Sequence, residues 1–194
     1  LSTLSQARTL GGVGSILVLL SLVPTIGVVL AIVGFILTLV AIKYISDALK
    51  DRSIFNNMLI AVILAIVGVA VGAVFVFASV FRFIGMGYFN ENFMGQNFNQ
   101  STVPMGDLVS FITTILIGLL VIWVFYLISA VFLRRSYRSI AAKLNVGMFS
   151  TAALLYIIGA ALTIVLVGFI LIFVAQILLI VAFFSIPDQV SQPQ

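Results

Sequence analysis

Residues 10–42 read LGGVGSILVLLSLVPTIGVVLAIVGFILTLVAI, from Leu10 to Ile42 without one charged side chain. A single helix of that run would be about 50 Å long, against a hydrocarbon core of about 30 Å. Pro24 and Gly27 stand in its middle as P-T-I-G. Proline removes a ladder donor and clashes with the preceding turn, and the pair reads as a chain reversal. The block is therefore read as two spans, residues 4–23 and 26–46. One long kinked helix is the alternative. The first span is short of strongly apolar residues at its start, which predicts a tilted or partly interfacial segment.

Outward from this block the pattern repeats. The segment KYISDALKDRSIFNN at 43–57 carries Lys43, Lys50, Arg52, Asp47 and Asp51, and Ile45, Ala48 and Leu49 continue one helical face. A span follows at 58–83, with Arg82 placed to snorkel to the interface. The longest polar stretch is 84–106, IGMGYFNENFMGQNFNQSTVPMG, and it is read as a loop. Asp107 precedes the span at 108–133 and suits a helix cap. The block at 149–186 is again too long for one crossing and has neither proline nor charge. It is divided into 149–166 and 168–186, with a tight turn near Val167–Gly168. VGFIL occurs at 33–37 and again at 167–171, and in that register Ala41 matches Ala175. The echo suggests that a similar hairpin lies near each end of the chain. The expectation is an all-α, polytopic transmembrane helical bundle forming a single membrane domain over 1–194. Six spans are expected, and four long or kinked spans are the alternative.

Composition agrees. The 194 residues are 63% apolar and 7% charged, where a soluble domain carries roughly 25% charged residues. Cysteine and histidine are both absent. That excludes disulfides, thiol nucleophiles, thiolate metal sites and imidazole chemistry. The five carboxylates, Asp47, Asp51, Glu91, Asp107 and Asp188, all lie outside the depths of the apolar blocks. An intramembrane proton relay has no evident carrier, and no catalytic residue, metal or cofactor is expected. Leu1 in place of Met is compatible with processing, truncation or a non-standard start. The first block is too long, and too soon followed by another, for a cleavable signal peptide.

Charge sets the expected orientation. Lys43, Lys50 and Arg52 flank one end of the second and third spans. Arg134, Arg135, Arg138 and Lys143 follow the fourth. The loop between the third and fourth spans has no basic residue. By the excess of basic residues on the inner side, Lys43, Arg134, Arg135 and Arg138 are topology anchors facing the cytoplasm. The protein is expected in the cell membrane as a multi-pass chain, with both termini cytoplasmic if there are six spans. The basic run also suits anionic lipid headgroups. Nucleic acid is not an expected partner.

Few residues invite a functional reading. Gln176 sits near the centre of the last span, where an amide is costly to leave unpaired. It is either a ligand or ion contact or an interhelical hydrogen bond. Thr113 and Thr114, with Tyr126 and Ser129, form a similar polar thread in the fourth span, though Ser and Thr also bond back to their own helix. Gly68 and Gly72 form G-x-x-x-G, a face for close helix packing within the chain or between chains. Gly11, Gly12 and Gly14 lack the Lys-Ser/Thr and the strand of a phosphate loop. Asn99 begins an N-x-S acceptor for N-glycosylation. Tyr88, Phe89, Phe93 and Phe98 suit an interfacial lid or a partner. Met86, Met94 and Met105 share this stretch, but without tight spacing they make a poor copper(I) site.

GGVGSILVLL, the P-T-I-G turn and VGFILTLVAIKYISDALKDRSIFNN resemble a family of uncharacterised, mainly archaeal integral membrane proteins that carries only a domain-of-unknown-function label. VGFILIFVAQILLIVAFFSIP extends the resemblance toward the far end. It implies membrane location and supplies no catalytic residue. A structural or accessory subunit of a membrane complex is the leading reading, with other subunits and lipids as partners. A small transporter or channel is the alternative, and a membrane enzyme comes last.

Overall fold

The computed structural model describes residues 3–85 and 104–187. The expectations attached to Asn99, Glu91, Met86, Met94, Asp188 and the aromatic residues between 88 and 98 lie outside the described residues. The described chain forms six α-helices: α1 Thr3–Leu20, α2 Gly27–Ala48, α3 Arg52–Gly85, α4 Met105–Leu144, α5 Gly147–Leu162 and α6 Val167–Phe184. A 3-10 turn, Thr163–Val165, follows α5. Five of these, α2 to α6 with the 3-10 turn counted into α5, are long and apolar enough to cross a membrane. The protein is an all-α, polytopic transmembrane helical bundle.

Both long apolar blocks break into hairpins. The first turns at residues 21–26, and Thr25 takes a left-handed φ of 76°. Gly27 opens α2 with its Cα against the Ser21 carbonyl, so a side chain there would collide with main chain. The second reversal falls at Thr163–Leu166 rather than at Val167–Gly168. Thr163 Oγ1 donates to the Ala160 carbonyl at 2.7 Å, and Leu166 supplies the left-handed residue at φ 63°. Gly168 serves instead as a crossing point of α5 and α6, its Cα against the Gly159 carbonyl. VGFIL thus puts Gly34 and Gly168 in equivalent roles. Each meets a glycine of the preceding helix, Gly14 and Gly159 respectively, and Ala41 and Ala175 are both fully buried.

The described chain divides into two compact units. One comprises Leu1–Ile63 and Leu127–Gln194. It holds the α1–α2 and α5–α6 hairpins, the start of α3 and the end of α4. Its buried cluster gathers at one end. Leu4 and Ala7 of α1 join Ile42 and Ile45 of α2, Ile54 and Met58 of α3, and Tyr137 and Ile140 of α4. Phe149 of α5 and Phe183 of α6 complete it. The Phe149 ring stacks on Tyr137 at 5.8 Å and meets Phe183 edge-on at 5.1 Å. Helices α3 and α4 start earlier and end later than the apolar spans at 58–83 and 108–133. Their extra turns are amphipathic, and Ile54, Ile140, Ala141 and Leu144 bury against this cluster.

The second unit, Leu64–Tyr126, is the remainder of α3 and α4. The two helices run antiparallel, and Gly72 and Gly118 face each other's main chain. Ser79 Oγ donates to the Phe111 carbonyl at 3.2 Å. In the first unit, Ser129 Oγ donates to Ala61 O at 2.7 Å and Ser136 Oγ to Ile54 O at 2.8 Å. The two residue numbers in each of these four α3–α4 pairs add to the same total, so the register is fixed by glycine and serine.

Glycine crossings generate a paired prediction. A methyl on Gly34 would lie 2.5 Å from the Gly14 carbonyl oxygen and 2.8 Å from Leu17 Cβ, whereas one on Gly147 meets nothing within 4 Å. Gly34→Ala should destabilise by about 1–3 kcal/mol, the usual range for overpacking. Gly147→Ala should be neutral or stabilising, since alanine favours a helix. Thermal unfolding in detergent reads both, and equal effects would contradict the crossing.

Candidate functional site

Gln176 lies on the tenth position of α6, half-buried, facing α1. Its Nε2 donates to the main-chain carbonyl of Ser15 at 3.0 Å. A carbonyl only accepts, so the amide nitrogen must point toward it and the side-chain orientation is fixed by chemistry. The bond joins the first hairpin to the last. On the basic-loop side of it, α1 and α6 are close. The Phe183 ring packs on Gly11 and the Phe184 ring on Gly12, where any Cβ would strike them. The glycine run that resembles a phosphate loop only superficially is therefore a seat for two aromatic rings. Ser15 Oγ is buried and has no hydrogen-bond partner among the described residues.

Toward the two reversals the same helices leave a groove of about 460 Å³. It is lined by Val18, Leu19, Ser21 and Leu22 of the first hairpin and by Phe169, Ile170, Ile172, Phe173 and Gln176 of α6. Apart from Ser21 and Gln176 its walls are apolar. Ser21 Oγ donates to the Val18 carbonyl at 2.7 Å and is satisfied locally.

Thr113 and Thr114 lie in the other unit, so the three candidate polar residues do not form one cluster within either unit. Thr113 is exposed. Thr114 Oγ1 bonds back to the Ser110 carbonyl at 2.8 Å. It lines a small pocket of about 140 Å³ whose walls mix Ser79, Arg82, Asp107 and Ser110 with Ala78, Phe83 and Phe111. Ser129, the remaining polar residue of that helix face with Tyr126, is buried against α3 through its bond to Ala61. Gly68 and Gly72 face α4 of the same chain. Gly68 packs on Phe125, and Gly72 packs on Ile122 and Gly118.

The basic segments come together at one end of the first unit. Lys43, Arg135 and Arg138 are exposed and Arg134 is half-buried. The Arg135 guanidinium lies 5.3 Å from the Phe132 ring centroid. Lys143 in the last turn of α4 pairs with Asp51, Nζ to Oδ2, at 2.7 Å. Asp51 also caps α3, accepting from Ser53 N at 3.0 Å and Ser53 Oγ at 2.7 Å. Its own main chain closes α2, with N–H to Ser46 O at 3.0 Å and C=O from Ser46 Oγ at 2.7 Å. One residue therefore joins three helices, and the two basic loops share a face. The hydrogen bond from Lys143, followed by that from Ser53, holds the Asp51 carboxyl below the ordinary carboxylate range, while burial opposes them. Sequence reasoning passed over this pair, over Ser136 and over Ser15. Only the spacing of Ser129 and Ser136, one heptad apart on α4, marked any of them.

A membrane bundle whose described polar side chains mostly close on neighbouring main chain defines the class. Residues 30–177 match the family model described as Protein of unknown function (DUF996), and the chain belongs to that family. It is 33% identical over 188 residues to the uncharacterized protein MJ1644 of Methanocaldococcus jannaschii. That alignment covers 97% of this chain and 96% of the relative. No solved structure matches.

Three expectations follow. Gln176→Ala should cost roughly 0.6–2 kcal/mol, the range for an interhelical bond in a membrane. Ser15→Ala should cost nothing or stabilise, because the acceptor is main chain and the substitution removes an orphaned hydroxyl. Detergent-denaturation midpoints distinguish them. The Asp51 pair should be on the order of 0.2–1 kcal/mol, since Lys143 is largely solvated. A depressed carboxyl pKa gives stability that is present above about 3.9 and is lost as pH falls through the folded value. The gap in melting temperature between wild type and Asp51→Asn should be steady from pH 7 to 5 and shrink below about 4. A gap unchanged at pH 3 would rule the pair out as its source.

Proposed function

We propose that this protein is a structural or accessory subunit of a membrane-protein complex in the cell membrane, with its basic loops and both termini in the cytoplasm. The observation that carries this reading is the use of Gln176. One donor of the amide in the last span joins two hairpins through Ser15, and Ser129 and Ser136 do the same between α3 and α4. These groups hold helices in place. The second unit meanwhile presents large apolar side chains outward, among them Val74, Phe77, Phe81, Leu116 and Leu120. Such a surface suits lipid and the helices of other subunits alike. Basic residues at the shared loop face support the cytoplasmic orientation and an association with anionic lipid headgroups.

A small transporter or channel is the second reading, favoured by one observation: the groove that Gln176 lines. Extraction of the tagged protein at native abundance in mild detergent, followed by native mass spectrometry, separates the two. The scaffold reading expects a particle containing further protein subunits. A lone chain, with flux in liposomes that Gln176→Ala abolishes, would replace it with the transporter reading.

A further inference from the structure

We propose that the groove between α1 and α6 binds a lipid-soluble molecule that carries a hydroxyl within its apolar body, recognised by the Gln176 amide. A primary amide offers two N–H donors and a carbonyl acceptor. Gln176 uses one donor, on Ser15 O at 3.0 Å. No other bond to Gln176 is found among the described residues, and its side chain forms part of the groove wall. The Oε1 acceptor has no bond among the described residues and is not sealed from the surface, and the side chain borders a space otherwise lined by valine, leucine, isoleucine and phenylalanine. In hydrocarbon an unmet amide is costly. A hydroxyl is the smallest neutral group that donates to Oε1. A plain hydrocarbon chain does not.

The groove exists because the two helices are matched at only one end. Gly11 and Gly12 admit the rings of Phe183 and Phe184. Beyond Gln176 the lining turns bulky, with Leu19 of α1, Leu22 of the turn after it, and Phe169 and Phe173 of α6 around about 460 Å³. Gln176 stands at the inner end of that space. A ligand is held there by apolar contact along its length and by one polar contact at depth, the usual division of labour in a small-molecule site. Ser21 offers no donor to the groove, since its proton is taken by Val18 O. The inference rests on the membrane placement and not on the scaffold reading.

The test uses the full chain in nanodiscs with two photoactivatable long-chain diazirine probes, one bearing a mid-chain hydroxyl and the other its deoxy counterpart. The hydroxylated probe should label the peptides containing Val18–Leu22 and Phe169–Phe173 saturably. Its half-saturation should lie several-fold to about tenfold below that of the deoxy probe, the effect of one hydrogen bond. Gln176→Leu should erase the difference between probes, and Ser15→Ala should keep it. Ile170→Trp fills the groove from an exposed position and should abolish saturable labelling, which keeps the test decisive if Gln176→Leu does not fold. Equal labelling by both probes, or unsaturable labelling of all lipid-facing helices alike, would overturn the proposal and leave ordinary surrounding lipid as the occupant.

Discussion

Close approach of helix main chains at glycine is the constraint on which this structure depends. In a bilayer the lipid tails are as apolar as leucine, so helices gain little from burying leucine against one another. Contact must come from shape. Each of the three sequential pairs, α1–α2, α3–α4 and α5–α6, has one site where two glycines place main chain on main chain: Gly14 with Gly34, Gly72 with Gly118, and Gly159 with Gly168. Once the main chains are this close, short side chains reach across. Ser79 reaches Phe111, and Ser129 and Ser136 reach Ala61 and Ile54. Gln176 is the longer version of the same device, spanning from one hairpin to another.

The buried apolar core gathers at one end of the first unit. It sits where the basic loops, the start of α1 and the end of α6 converge, around Tyr137, Phe149 and Phe183. There α3 and α4 run past their apolar stretches and become amphipathic, so ordinary hydrophobic burial operates again. Asp51 closes this end by capping α3, finishing α2 and pairing with Lys143 of α4. Glycine and serine contacts run along the apolar lengths and reach just beyond them at Ser136–Ile54, while hydrophobic burial and the Asp51–Lys143 pair close the charged end.

Much of this was legible in the residues, and the rest was not, for identifiable reasons. Apolar block length and Pro24 mark the first hairpin directly, because proline and a charge-free run act locally. The second reversal lacks proline. Its position depends on Thr163 and on a leucine in a left-handed conformation, which no local preference announces, so Gly168 drew the turn by one helical turn. Gly34 and Gly168 were visible as an echo, but their partners Gly14 and Gly159 belong to other helices. Pairing is a tertiary fact. Gln176 stood out because an amide in an apolar run is conspicuous. Its acceptor did not, because any carbonyl of α1 would serve. The groove beside it arises from relative side-chain size on two helices far apart in sequence.

The central claim is that the chain folds back on itself at both ends, which packs α1 along α2 and α6 with its start beside the basic loops. Single cysteines introduced into this cysteine-free chain, probed with an impermeant thiol reagent on intact cells, test it most directly. Thr25→Cys and Gln96→Cys should label from outside, while Thr3→Cys, Lys50→Cys and Ala142→Cys should label only after permeabilisation. Labelling of Thr3→Cys together with Gln96→Cys on intact cells, with Thr25→Cys protected, would contradict it.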